Sequence, residues 1–169
     1  MITPSYVRTM VAYNAEINRR LYAAAWRLSD SERNADRGAF FKSIHGTLVH
    51  LLWGDLTWMS RFDGWPKPAM GAKDSPSMID NFSQLSEQRV KADKDMQDWA
   101  TRITHEWLDE TVTWFSDALQ REMRTPRWFL VAHPLNHQTH HRGQVHAMLT
   151  ACREGTGDTD LFLVVEPAH

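Results

Sequence analysis

The stretch "FSQLSEQRVKADKDMQDWATRI", Phe82 to Ile103, decides how the rest of the chain is read. Phe82, Leu85, Arg89, Ala92, Met96, Trp99 and Ile103 step along it by three and four. That period puts all seven on one face of an α-helix, and the face is mostly apolar. Working outward, the same spacing returns upstream. Ile44, Leu48, Leu51, Asp55, Trp58 and Phe62 predict a helix from about Ser43 to Phe62, with one acidic interruption. Tyr6, Met10, Tyr13, Ile17, Leu21, Ala24 and Leu28 predict another, opened by a Thr3 cap and a first-turn Pro4.

Between these helices, "SDSERNADRG" reads as a loop. "DGWPKPAMGAKDSPS", residues 63–77, is a longer Gly- and Pro-rich loop, a candidate lid or interface element. After Ile103 the period changes. Leu108, Val112 and Trp114 in "WLDETVTWF" alternate with polar residues and suggest a short strand. "SDALQREMR" fits a returning strand or a turn of helix. Thr125-Pro126 reads as a second cap and first-turn proline for a long last helix, running to about Arg153 and closed by Gly155. Pro134 inside it predicts a kink or a late start. The tail "GDTDLFLVVEP" should pack back on the helices. Four long amphipathic segments predict an all-α fold. It is a four-helix bundle, one domain over residues 1–169, with a short hairpin or irregular segment before the last helix.

The totals narrow the function classes. A formal net charge of -2 and a pI near 6.5 argue against a nucleic-acid protein. Arg121, Arg124 and Arg127 form a small basic group that reads as a solvated helix start. The single Cys152 fits a reducing compartment and reads as buried filler. "MITPSYVRTM" has no apolar signal core, and no run approaches the ~18 apolar residues of a membrane span. A soluble cytoplasmic protein is expected.

Four of the nine histidines lie in "NHQTHHRGQVH", Asn136 to His146. His137 and His141 share a helical face about 6 Å apart along the axis. Two imidazoles so placed can reach one ion, as in the zinc-protease pattern H-E-x-x-H, and the spacing equally fits two surface or core histidines. Gln138 stands where that pattern has its glutamate, and an amide cannot act as the base. His50, mid-helix in "TLVHLLWGD", could be a third ligand or a satisfied core histidine. His133 shares the stripe one turn away, while His140 and His146 point elsewhere. His45, His105 and His169 fall into no pattern. A di-iron carboxylate bundle needs paired Glu-x-x-His motifs on inward helices, which the helical segments lack. No G-x-S-x-G or phosphate-loop pattern occurs.

"FFKSIHGTLVHLLWGDLTWMSRF", then "HPLNHQTHHRGQVHAML" and "DTDLFLV", resemble the DinB/YfiT-like superfamily of metalloenzymes. The resemblance runs from "YNAEINRRL" in the first helix to the tail. It implies a four-helix bundle holding a divalent transition metal (Zn, Ni or Fe) on three histidines. Carried onto this chain, these are His50, His137 and His141. Asp55 would orient a ligand or bind Arg142. Gln144 would hydrogen-bond a ligand imidazole or a group at the metal, and Arg142 would be structural. Three ligands leave a position open, the mark of a catalytic rather than a closed site. An ion so held lowers the pKa of a water or thiol that reaches it.

Relatives in the superfamily that use low-molecular-weight thiols make a thiol S-transferase the leading expectation. The partners would be such a thiol and a small electrophile. A hydrolase using activated water and a non-catalytic stress-response metal protein are the alternatives. The resemblance also implies a homodimer.

Overall fold

The structure, a computed structural model, describes residues 1–116 and 119–169. Four long helices form the bundle: α1 (Pro4–Trp26), α3 (Ile44–Phe62), α4 (Phe82–Ala100) and α6 (Arg127–Ala151). Three short ones accompany them: α2 (Asp30–Asn34), α5 (His105–Asp109) and α7 (Leu161–Val164). A hairpin of β1 (Thr111–Ser116) and β2 (Arg121–Pro126) precedes α6. It is antiparallel, with Thr111 opposite Pro126 and Trp114 opposite Met123. Going round the bundle, α1 packs on α4, α4 on α3, α3 on α6, and α6 back on α1. This order sets α3 and α6 side by side, and they carry the histidines.

The helix starts follow from their caps. Thr3, Ser43 and Asn81 each accept a hydrogen bond from a first-turn amide, at Tyr6, Gly46 and Gln84. The α4 face is buried as the spacing predicts, from Phe82 through Trp99 to Ile103 just beyond the helix end. On α1 the seam is shifted. Tyr6 is 42% exposed, and the buried seam runs Val7, Val11, Asn14, Asn18, Leu21 and Ala25. Two asparagines in that seam hid it from an apolar reading.

The polar interruptions of three stripes meet in the core. Arg89 Nη1 donates to Asp55 Oδ2 at 2.6 Å. Arg89 Nη2 lies 2.8 Å from Asp93 Oδ1, which also accepts from Asn18 Nδ2 at 3.0 Å. A buried charge persists only when paired, and these four residues pair across α1, α3 and α4, leaving Asp55 Oδ1 and Arg89 Nε without a partner.

Several local expectations are corrected. "SDSERNADRG" contains α2, opened by a capping box in which Ser29 and Glu32 bond each other's backbone amides. Leu108 is not in a strand. It is buried on α5, which Thr104 caps, and the strand begins three residues later. The returning segment is β2, except that Asp117 and Ala118 lie outside the described residues. Thr125 caps nothing. It lies in β2, where its hydroxyl accepts from Trp114 Nε1 at 3.0 Å, and Pro126 takes the N-cap position of α6. Arg121 and Arg124 lie on β2, so only Arg127 stands at a helix start.

Helix α6 runs unbroken through a buried Pro134 with no late start. It ends in a Schellman motif rather than at Gly155. Arg153 takes a left-handed φ of 64°, Glu154 N–H reaches Leu149 O at 3.0 Å, and Arg153 N–H reaches Thr150 O at 2.9 Å. Cys152 is half-buried at this end. The tail crosses α1, with Thr159 O accepting from Tyr13 and Ala168 N–H donating to Thr9 Oγ1. Its Phe162 nevertheless remains 79% exposed. No helix among the described residues is long and apolar enough to cross a membrane.

Candidate metal centre

His50 comes from the middle of α3, and His137 and His141 from consecutive turns of α6. One ring nitrogen from each lies within 4.8 Å of the other two. His50 Nε2 lies 3.1 Å from His137 Nε2.

The outer nitrogens decide which atoms face inward. Ser75 Oγ uses its one proton on Ala72 O at 2.7 Å, so it accepts from His50 Nδ1–H at 2.8 Å. Gln144 Oε1 can only accept, so His141 Nδ1–H donates to it at 2.8 Å. Both rings therefore turn a bare Nε2 lone pair toward the shared centre. Metal-binding histidines are oriented by this kind of outer hydrogen bond. A tetrahedral ion with nitrogen ligands at about 2.0–2.1 Å would have them about 3.3 Å apart, close to the observed contact. The three residues fit a transition-metal ion.

Burial holds the rings in the neutral ligand form. It pushes His50 down to about 3, with His137 and His141 adding to the effect. Burial pushes His137 down to about 4, helped first by His141. His141 is lowered by burial, and its bond to Gln144 partly opposes this.

Aromatic side chains line the site. Phe41 stacks on His50 with centroids 3.8 Å apart, and Trp53 stacks on it at 5.5 Å. Trp53 is held by its own Nε1–H bond to Met70 O. A Cβ at Gly46 would stand 2.7 Å from Phe41 O, so only glycine lets the segment carrying Phe41 lie this close to α3. A Cβ at Gly54 would meet His137 Cε1 at 3.4 Å.

The loop 63–77 is pinned to α3 rather than standing off as a lid. Met70 anchors Trp53, and Ser75, in a 3-10 turn, is fully buried against His50. Ser75, Phe41 and Trp53 are the residues that sequence reasoning missed. Trp53, three positions after His50, was accessible from helical spacing. Ser75 and Phe41 carry no periodic signal.

The other anticipated residues are distributed differently. Asp55 bonds Arg89, and neither a histidine nor Arg142. Five residues turn a helix about 140° past its start, so Asp55 faces α4 while His50 faces α6. Gln144 contacts His141 directly. Arg142 is buried, with its guanidinium carbon 5.3 Å from the Tyr13 ring centroid. Burial pulls it down to about 10, against the pull of Tyr13 and Asp55.

Gln138 donates to Leu51 O at 3.1 Å, and so clamps α6 to α3. His133 packs on Trp58 with centroids 5.0 Å apart, outside the cluster. His140 is exposed beside Gln144, and His146 bonds Thr156.

A four-helix bundle with three convergent imidazoles on adjacent helices defines a class of histidine-site bundle proteins that can hold one metal ion. The DinB family model matches residues 1–154, and the chain belongs to the DinB family. The chain is also similar to protein DinB of Bacillus subtilis (strain 168). The two are 26% identical over 160 residues, covering 89% of this chain and 88% of that protein.

Proposed function

We propose that this chain is a metal-dependent enzyme of the thiol S-transferase type. The observation that carries the reading is the pair of outer hydrogen bonds, from His50 to Ser75 and from His141 to Gln144, which aim two bare Nε2 atoms at the point His137 also reaches. A divalent ion held there by His50, His137 and His141 would act as a Lewis acid that keeps a thiol ionised near neutral pH.

The chain's own residues do the rest. Ser75 and Gln144 hold the rings, and Phe41 and Trp53 wall one side with apolar surface suited to a hydrophobic electrophile. The cluster is all imidazole, with no carboxylate in it among the described residues, so hydrolysis would lack the base that H-E-x-x-H enzymes use. In the transfer, a carbon–sulfur bond forms as the electrophile's bond to its leaving group breaks. With chlorodinitrobenzene, chloride leaves and the thiol proton goes to solvent.

The test is to measure bound metal and then screen low-molecular-weight thiols against chlorodinitrobenzene and an epoxide. Thiol-dependent turnover that disappears in His50→Ala is expected. Ester or amide cleavage without thiol would point to the hydrolase instead. Fully metal-loaded protein with no turnover, whose His50→Ala variant only melts earlier, would mean that the ion merely staples α3 to α6. Pairing of two chains remains part of the proposal, and sedimentation velocity checks it.

A further inference from the structure

Helices α3 and α6 face each other with rows of side chains that run in opposite directions. On α3 the row is His50, Gly54 and Trp58, and on α6 it is His141, His137 and His133, each step one turn of helix. The rows meet in order. His50 lies against His137 and His141, a Cβ at Gly54 would touch His137, and Trp58 packs on His133 with centroids 5.0 Å apart. His133 thus continues the row one turn beyond the three-histidine cluster, its ring centroid 6.0 Å from that of His137. It is exposed, and its ring nitrogens have no hydrogen-bond partner among the described residues. The other histidines of α6 each have one: His137 at His50, His140 and His141 at Gln144, and His146 at Thr156.

We infer that His133 is a specificity-determining residue that hydrogen-bonds a polar group of the thiol, carried two carbons out from its sulfur. The inference rests on the thiol reading of the metal centre. Neutral imidazole offers a donor at one nitrogen and an acceptor at the other, so it recognises a hydroxyl, an amide or a carboxylate. The reach fits. An extended two-carbon thiol spans about 4 Å from sulfur to its last atom, and a hydrogen bond adds about 2.8 Å. Together these cover the single turn, about 6 Å of helix axis, that separates His137 from His133. Trp58 backs the His133 ring, and Gly54 adds no side chain to the α3 row between His50 and Trp58. The site would therefore select a thiol with a polar group on its second carbon over a plain alkyl thiol.

Titration of the cobalt-loaded full chain with mercaptoethanol and with propanethiol tests this, because the two differ only by hydroxyl for methyl. Thiolate binding is read from the sulfur-to-cobalt absorption band. The affinity for mercaptoethanol relative to propanethiol should fall by about three- to tenfold in His133→Phe, the scale of one neutral hydrogen bond. His133→Gln keeps a donor and an acceptor and should keep the ratio. His133 is exposed and outside the cluster, so both variants should load as much cobalt as wild type. An unchanged ratio in His133→Phe, or an equal fall in both variants, would overturn the assignment and leave His133 as a packing partner of Trp58. Loss of cobalt from His133→Phe would also overturn it, since the residue would then support the metal itself. No absorption band with either thiol would sink the thiol reading and this role together, whereas a band with both and an indifferent ratio sinks this role alone.

Discussion

Ser75 Oγ accepts the Nδ1 proton of His50 at 2.8 Å while giving its own proton to Ala72 O. A loop serine thus sets the tautomer of a histidine 25 residues earlier in the chain. Ser75→Ala removes the acceptor and frees the ring to turn. Metal affinity should fall by about 10- to 100-fold, the usual range for losing such a support. Competition against a chromophoric chelator measures it. An unchanged affinity would show that packing by Phe41 and Trp53 alone orients the ring.

Gln144 does for His141 what Ser75 does for His50. Gln144→Leu should weaken the metal by a similar factor. Gln144→Glu, whose carboxylate still accepts from Nδ1–H, should bind at least as tightly as wild type. The same chelator competition distinguishes them, and equal losses in both variants would contradict the role given to the side chain.

The metal-free protein should lose stability below neutrality. An unfolded histidine titrates near about 6.5. In the fold, burial holds His50 at about 3 and His137 at about 4. Between these limits the unfolded chain binds more protons, so stability rises with pH. The contribution is fully present above about 6.5 and is lost as pH falls toward 4 and 3. Urea midpoints of the metal-free protein should drop from pH 7.5 to 5. The drop should shrink in His50→Gln, and a flat profile in wild type would refute the argument.

Arg153 closes α6 with φ at 64°, a conformation that glycine adopts without strain. Arg153→Gly should stabilise the protein by up to about 1 kcal/mol, or about 2–4 °C in melting temperature for a chain of this length. A lowered melting temperature would mean that the arginine side chain contributes more than its backbone costs.

The Asp55–Arg89 pair is buried on both sides, at 3% side-chain exposure each. Asp55→Ala leaves Arg89 with Asp93 as its remaining carboxylate partner and one buried N–H unsatisfied, and should cost about 1–3 kcal/mol. Because Asp55 touches no histidine, metal stoichiometry per folded molecule should stay the same. Chemical denaturation and metal analysis of the same sample read both quantities, and loss of metal from folded protein would tie Asp55 to the site.

The amino-acid sequence by itself determined the four long helices and the i, i+4 placement of His137 and His141, because both are properties of one helix and its 3.6-residue turn. It failed where the signal was polar or non-local. The α1 seam was obscured by Asn14 and Asn18, both buried, the second with its amide donating to Asp93 on α4. A cap was assigned to Thr125 although hairpin pairing with β1 had already claimed its hydroxyl.

Tertiary structure alone decided which helices became neighbours. Setting α3 beside α6 turned His50 from a core histidine into the third member of a cluster, and turning Asp55 toward α4 gave it Arg89 instead of Arg142. Folding back the loop 63–77 brought Ser75 to His50. Helical period fixes the direction of a side chain within its own helix. What it meets there depends on segments distant in sequence, whose approach is set by burial of the whole core.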